Sequence, residues 1–518
     1  MNPRRAMALK ELLAEARVSP VDLAGNPEVV VTGIAVDSRV IGRNEMFVAL
    51  PGTRTDSHMM VRDAVAAGAS ALLVEREVEQ FPGVATVRVM STRAALGPLA
   101  HAIHRHPARA MIVCGITGTN GKTTTSHLAA HILETAGYRP GVVGTLGAKF
   151  ADQFIPLENT TPGPIELADI FRRMDDARID CVAMECSSHA IDQARIGGIS
   201  FRCGVMLGIT QDHLDYHGTF EKYVQAKVRL FEEYVASTPG SVSCFNYDDP
   251  VGEKLCGEWS GHLVGFSREA DSPVAVRAEE PVFSPRGTAF TLVIDGRRAK
   301  VESPLPGDFN LTNMLAASAA AHSLGVSIET IAGALEKAPP VAGRFEFIPG
   351  EHPFSVIVDY AHTSDALMRA LRTARRLCAN RLIVVFGCGG DRDRGKRPLM
   401  GRVAGDYADY AIITSDNPRS EEPAAIARQV LEGVLGSHLK TGQHQVVHDR
   451  RVAIDRAIRM AGLGDVVMIA GKGHEDYQEI AGRRVHFDDR EEARRVLAEI
   501  SGDFAAREQN DIPMEHHA

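Results

Sequence analysis

The sequence predicts a three-domain α/β protein with a doubly wound, largely parallel sheet at its centre and a Rossmann-like C-terminal domain. Three observations carry this. Short apolar runs alternate repeatedly with helical stretches, the pattern of strand, crossover helix and parallel strand. A Gly-rich turn sits between one such run and a helix. The chain has 518 residues, enough for three or four domains at roughly 100–200 residues each. Expected bounds are 1–108 for an N-terminal domain, 109–343 for a central domain, 344–500 for a C-terminal domain and 501–518 for a loose tail.

In the first domain, residues 1–18 read as an amphipathic helix. Runs at 29–32, 46–50 and 71–74 read as strands, with a helix at 61–67 between them. The central domain opens with a buried-strand run at 111–116. A helix at 123–136 follows, closed by Gly137, which suits a left-handed C-terminal cap. Further strands are expected at 181–184 and 205–209. Residues 261–301 are rich in strand formers and turns, and 313–324 are helical. In the third domain, strands are expected at 355–358, 382–386, 411–414 and 466–470.

Composition excludes several classes. The formal net charge is -9, which argues against a general nucleic-acid binder. The eight cysteines are scattered without a C-x-x-C pair, so they read as reduced thiols. The N-terminus lacks a signal-type apolar core. No run approaches the ~18 apolar residues of a membrane span. A cytoplasmic monomer is expected.

The chemistry starts at Thr117-Gly118-Thr119-Asn120-Gly121-Lys122-Thr123-Thr124. Backbone N–H groups of such a turn can approach phosphate oxygens. The helix N-terminus adds partial positive charge, Lys122 can reach terminal phosphates, and the Thr123 hydroxyl suits Mg²⁺. The usual phosphate loop has glycine where Ile116 stands, so this is a shortened variant. Glu185 ends the run 181–184 and is placed to hold Mg²⁺ beside the loop. Beyond it lies Asp212-His213-Leu214-Asp215-Tyr216-His217. By spacing alone His213 and His217 are each a metal ligand or a plain loop residue. Combined with Glu185 and the loop, His213 is the ligand candidate. Lys227, in a helix at 220–234, reads by itself as a surface lysine.

Taken together, the strings along the chain resemble the Mur ligases. They are T-G-T-N-G-K-T-T from Thr117, N-T-T-P from Asn159, M-E-C-S-S-H from Met184 and D-H-L-D-Y-H from Asp212. They continue with V-D-Y-A-H-T from Val358, G-C-G-G-D-R-D from Gly387, D-N-P-R from Asp416 and A-G-K-G-H-E from Ala470. Similarity begins at Val36-Asp37-Ser38-Arg39 and still shows at Phe487-Asp488-Asp489-Arg490. Within the family it is the diaminopimelate-adding branch that the chain resembles.

The resemblance implies an N-terminal domain that holds a UDP group, a central ATP-binding domain and a C-terminal domain that delivers an amino acid. It implies ATP and Mg²⁺ as cofactors. The implied substrates are the UDP-N-acetylmuramoyl dipeptide and meso-diaminopimelate. Ser38, Thr53, Arg54, Thr55, Asn159, Thr160, Thr161, Ser187, Gln193 and Arg195 match the nucleotide-sugar peptide positions. Gly118 to Thr124 with Asn310, Arg344 and Asp359 match nucleotide contacts. Thr123, Glu185 and His213 match metal ligands. Lys122, Lys227 and His213 match catalytic positions, with Lys227 carried as a carbamate. Arg392, Asp416, Asn417, Pro418, Arg419, Gly471 and Glu475 match diaminopimelate contacts. Ser364 stands where many relatives have proline.

These residue types suit amide formation driven by ATP. Phosphorylating a carboxylate brings two anions together, and Lys122 with Mg²⁺ supplies the positive charge between them. The planar fork of Arg419 matches a carboxylate, and Asp416 and Glu475 can face an ammonium. Closure of the C-terminal domain is expected, to keep the acyl phosphate from water. A folylpolyglutamate synthase shares the loop variant but gives no reason for D-N-P-R with G-K-G-H-E. A lysine-adding ligase gives no use for Arg419. A non-catalytic nucleotide-binding scaffold would not need Lys122 and Glu185 intact.

Overall fold

A computed structural model describes residues 6–52, 56–284, 287–350 and 352–510. The chain folds as mixed α/β around three main sheets and divides into two compact units. One comprises residues 1–282, 289–303 and 310–338; the other comprises 283–288, 304–309 and 339–518.

The first unit begins with a five-stranded sheet whose spatial order is Asp22–Ala24, Ala85–Arg88, Ala71–Val74, Glu45–Val48 and Gly33–Ala35. The N-terminal helix is shorter than the sequence suggests. It spans Leu9–Glu15, because Met7–Ala8 pairs as a strand with Val30–Val31 and Arg17 turns left-handed at φ 54°. The helix Thr92–Ile103 buries Leu96, Leu99 and Ile103 against this sheet. Its Gly97 lies so close to the turn at Gly197 that a Cβ there would overlap the Gly197 carbonyl.

The second sheet has eleven strands. Its parallel centre reads Pro140–Gly144, Cys181–Glu185, Ile112–Thr117, Phe201–Met206, Val242–Asn246 and Leu263–Ser267. The loop strand Ile112–Thr117 is central because every residue after Ile112 is buried and both neighbours pair with it. Helix Pro164–Asp176 covers one face with Leu167, Ile170, Phe171 and Met174, all buried. Full burial of such side chains contributes about 1.5–3 kcal/mol each. Where the sequence suggests a strand at 205–209, the strand is Phe201–Met206. Arg202 interrupts the apolar run, but its side chain leaves the sheet to donate to Pro239.

The second unit carries a six-stranded sheet in the order Glu346–Phe347, Ser355–Asp359, Val466–Ala470, Leu382–Phe386, Tyr410–Ile413 and His444–Val446. All pairings are parallel except the first. Helices lie on both faces, and two buried clusters fill them. A hairpin, Tyr477–Ile480 with Arg483–His486, follows the sheet, and a helix runs from Asp489 to Asn510, past the expected domain end.

Candidate active site

In the first unit the strand Ile112–Thr117 stops where Gly118 turns to φ 144° and Gly121 to φ 86°. Both are left-handed conformations open chiefly to glycine. The helix Lys122–Thr135 starts at once, which leaves its first N–H groups facing the turn. Thr123 and Thr124 are buried, while Thr119, Asn120, Gly121 and Lys122 are half-buried along the loop. Lys122 Nζ donates to the carbonyls of Gly118 and Thr119, each at 2.9 Å.

Lys227 is not a surface lysine. It lies 1% exposed on the helix Phe220–Arg229 and donates to Gly118 O at 2.8 Å. Its Nζ stands 4.6 Å from the centre of the Tyr223 ring. Burial pushes its pKa well below the ordinary lysine value, and the nearby Lys122 charge pushes the same way. Tyr223, one turn earlier, pairs its hydroxyl with Thr119 Oγ1 at 3.0 Å. One helix thus grips two consecutive loop residues.

Glu185 is buried at the end of its strand. Thr145 donates to it twice, from N at 2.8 Å and from Oγ1 at 3.1 Å. The Thr145 hydroxyl also meets Thr160 Oγ1 at 3.1 Å. Thr161 Oγ1 donates to Glu185 O at 2.7 Å and accepts from Ser187 N at 3.1 Å. Arg195 donates to Thr161 O at 3.0 Å and to Gln193 Oε1 at 2.9 Å. The matched peptide positions Thr160, Thr161, Ser187, Gln193 and Arg195 therefore form one network with the matched metal ligand. Asn159 is exposed beside it, and Ser38 is half-buried in its own turn. That turn is closed by the Asp37–Arg39 pair, which holds the Asp37 carboxyl down to about 2. Thr53, Arg54 and Thr55 lie outside the described residues.

His213 stands at φ 53° with its ring 4.7 Å from that of His189. Partial burial lowers its pKa, with Lys122 and Lys227 adding to the effect against Asp212. Among the described residues, no group of three His, Cys, Asp or Glu side chains could hold a metal alone. The oxygen donors of Thr123 and Glu185 still suit a hard cation that keeps waters and draws further ligands from phosphates.

Asn310 is buried on the helix Asp308–Ser323 and accepts from Asn313 Nδ2 at 3.3 Å. Asn313, missed from sequence, sits against Gly121, and a Cβ on that glycine would overlap its Oδ1. The only local signal was two asparagines one helical turn apart.

The second unit holds the other candidates. The Arg344 guanidinium covers the Tyr360 ring at 4.7 Å. Asp359 accepts from Phe345 N at 2.7 Å and Ala361 N at 2.8 Å. Burial raises its pKa, opposed by Arg344 and these bonds. The His474 ring lies 4.9 Å from that of Tyr360, tilted by 45°, and burial with nearby cations lowers its pKa to about 3.

The D-N-P-R turn is locked by the segment after Ala470. Asn417 Oδ1 accepts from Glu479 N at 2.9 Å and Lys472 Nζ at 3.3 Å, and its Nδ2 donates to Glu475 Oε2 at 2.8 Å. Gln478 Nε2 donates to Asp416 O at 2.7 Å. Lys472, fully buried, also pairs with Glu475 at 3.0 Å. Burial by itself would raise the Asp416 carboxyl, but Lys472 and Arg450 hold it below the usual range. Gly471, at φ 117°, admits Asp416, whose Oδ2 lies 2.7 Å from where a Cβ would stand. Pro418 packs its carbonyl against Gly390. Arg419 stands at φ 51°, donates to Gly390 O at 2.8 Å and lies 3.6 Å from Glu479. Arg392 is exposed and donates to Asp391 O at 3.3 Å. Lys472, Gln478 and Arg450 escaped the sequence reading, although Lys472 lies inside the quoted A-G-K-G-H-E string.

A phosphate loop on a doubly wound sheet, joined to a carboxylate and a buried lysine, defines a nucleotide-dependent phosphoryl-transfer protein. Comparisons make this specific. The Mur ligase middle domain matches residues 116–321 and the Mur ligase glutamate ligase domain matches residues 343–473. Two similar curated proteins are named UDP-N-acetylmuramoyl-L-alanyl-D-glutamate--2,6-diaminopimelate ligase. That of Geobacter sulfurreducens is 41% identical over 92% of this chain and 96% of its own. That of Geobacillus kaustophilus is 42% identical over 95% of this chain and 100% of its own. A solved structure bearing the same name is 32% identical, with TM-score 0.69, over 96% of this chain and 100% of that one. The UDP-N-acetylmuramoylalanyl-D-glutamyl-2,6-diaminopimelate--D-alanyl-D-alanyl ligase of Acinetobacter baumannii shares the fold at TM-score 0.60 and 22% identity, over 90% of this chain and 96% of its own. The chain belongs to the Mur ligase family, the ATP-dependent ligases that form amide bonds.

Proposed function

We propose that this ligase joins meso-diaminopimelate to the D-glutamate side-chain carboxylate of UDP-N-acetylmuramoyl-L-alanyl-D-glutamate, with ATP converted to ADP and phosphate, in cytoplasmic peptidoglycan precursor synthesis. The observation that carries the substrate choice is the locked D-N-P-R turn, where Arg419 and a buried, ionised Asp416 offer both signs of charge to one amino acid. Among the described residues no helix is long and apolar enough to cross a membrane. The reading is of a monomer.

The γ-phosphoryl group of ATP passes to the D-glutamate carboxylate and gives an acyl phosphate. The amine of the incoming amino acid then attacks the carbonyl carbon, a proton leaves the nitrogen, and phosphate departs. Lys122 and the N–H groups of the loop cradle the phosphates and offset the repulsion between the two anions. Arg195, Gln193, Ser187 and the threonines at 160 and 161 orient the peptide. Thr123, Glu185 and His213 would hold Mg²⁺, which would supply further charge neutralisation. Lys227 is a deeply desolvated amine, and a neutral amine is the form that combines with CO₂ to a carbamate. Such a group would add negative charge beside the loop. The distal ammonium of the incoming amino acid would be bound by Asp416 and Glu475 and the adjacent carboxylate by Arg419, which leaves the other amine free to attack.

The test is phosphate release from ATP. It should require both the UDP-dipeptide and diaminopimelate. Release without either, or with L-lysine as efficiently as with diaminopimelate, would reject the assignment.

A further inference from the structure

The F-D-D-R string at residues 487–490 lies outside every substrate contact assigned above, yet its Asp489 is fully buried. Its partner is Arg450, the first residue of the helix Arg450–Arg459, also fully buried at its side chain. Arg450 Nε donates to Asp489 Oδ1 and Nη2 to Asp489 Oδ2, both at 2.7 Å.

This is an unfavourable place for a cation. The helix N-terminus carries partial positive charge, and a buried ion pair contributes little net stability compared with apolar groups of the same volume. What the guanidinium does besides pairing explains its presence. Nη2 also donates to Ala470 O at 2.9 Å, and Nη1 reaches Ser415 O at 3.5 Å. Ala470 is the last residue of the strand Val466–Ala470, directly before Gly471. Ser415 lies just past the strand Tyr410–Ile413, directly before Asp416. These two strands are not neighbours, since Leu382–Phe386 runs between them. Above that middle strand, Gly387 leaves room for the chain at 414–416 to cross. One planar side chain therefore ties together the two backbone segments that carry Asp416 and Gly471.

We propose that Arg450, fixed by Asp489, is a positioning residue for the amino-acid site, a strut that sets the spacing between the D-N-P-R turn and Gly471. This rests on the assignment of that turn to the incoming amino acid. The charges agree with it. Asp416, Glu475 and Asp489 face the two cations Arg450 and Lys472, leaving one negative charge to meet an ammonium. The Arg450–Asp489 pair is itself neutral, so removing both partners leaves the net charge of the site unchanged, with Lys472 still facing Asp416.

The experiment measures KM for diaminopimelate, ATP and the UDP-dipeptide in the full-length wild type, the double variant Arg450→Met/Asp489→Leu and the single variant Arg450→Lys. In the double variant the amino-acid KM should rise by about tenfold or more, the factor that ~1.4 kcal/mol corresponds to. The KM values for ATP and the UDP-dipeptide, and kcat at saturating amino acid, should hold. Arg450→Lys keeps the charge but cannot bond both carbonyls and the carboxylate at once, so it should show a smaller selective rise. A double variant that folds, with its ATP KM intact, and keeps the wild-type amino-acid KM overturns the proposal. So does a parallel loss in all three KM values, which marks a general stability role. Should the double variant not fold, Arg450→Lys decides by the same criterion. If the wild type consumes a different amino acid, the substrate assignment fails, and the same ratio measured with that amino acid still judges the strut.

Discussion

Lys122 and Lys227 donate to the same acceptor, the carbonyl oxygen of Gly118, at 2.9 and 2.8 Å. Two ammonium groups at one carbonyl oppose each other, and burial together with the Lys122 charge pushes the Lys227 pKa well below the ordinary lysine value. On the proposed mechanism, Lys122 would serve phosphate as a cation and Lys227 would be the amine available for modification.

Lys122→Ala should leave the fold intact, because Lys122 is half-buried along the loop and outside the apolar core. Turnover should fall by about 10²–10³, the loss typical of a deleted charge-stabilising donor. Thermal melting and steady-state rates together check this. Near-normal turnover would remove the loop from the mechanism.

Lys227→Met should separate function from stability. A lysine whose folded pKa lies below its unfolded value binds fewer protons folded than unfolded. Its penalty is therefore fully present below the folded pKa, shrinks as pH rises through the window and vanishes above the ordinary lysine value. The variant should melt higher than wild type at neutral pH, and the gap should narrow toward pH 10 and above. Ligation should be lost. In Lys227→Ala, which leaves a space, added short-chain carboxylates should restore part of the activity. Full activity of Lys227→Ala without additive would refute the carbamate.

Gly144→Ala should raise the Mg²⁺ concentration needed for half-maximal activity. A Cβ at Gly144 would overlap Glu185 Oε1, so the carboxylate must move. Thr145→Val, which deletes the 3.1 Å hydroxyl bond to Glu185, should act in the same direction but less. Titrating activity against Mg²⁺ at saturating substrates is the check. Identical curves for wild type and both variants would exclude Glu185 as the ligand.

Arg419→Ala is the sharper probe of the amino-acid site, because Arg419 stands at φ 51° and alanine keeps the Cβ, so the backbone strain there is the same in both. Loss of a partner for a desolvated carboxylate costs about 2–5 kcal/mol. Diaminopimelate use should fall by more than roughly tenfold, ATP KM should hold, and lysine should gain relative to diaminopimelate. The ratio of kcat/KM for the two amino acids is the measurement. If it does not move, Arg419 serves only the turn and its bond to Gly390.

What could be read in sequence followed the range of the interactions. The phosphate loop was legible because its chemistry is local, eight consecutive residues between strand and helix. Lys227 by itself read as solvated, since nothing within its helix announces a loop 109 residues away in sequence. Asn313 escaped for the same reason, as its partner Thr125 is 188 positions distant. The hairpin Tyr477–Ile480 with Arg483–His486 was missed because its second strand is wholly exposed and carries no apolar alternation. The strand Phe201–Met206 was placed late because Arg202 resembles a break, although a strand residue facing solvent may be charged.

The Gly97–Gly197 contact has a consequence for how this sequence can vary. The helix cannot be altered there in a single step, since any larger residue at 97 meets main chain that no rotamer change can clear. A saturation library at position 97 should return glycine almost alone. Helix Thr92–Ile103 and the turn that follows Arg195 are thus bound to a shared history, in which drift on one side must wait for an insertion or a backbone shift on the other.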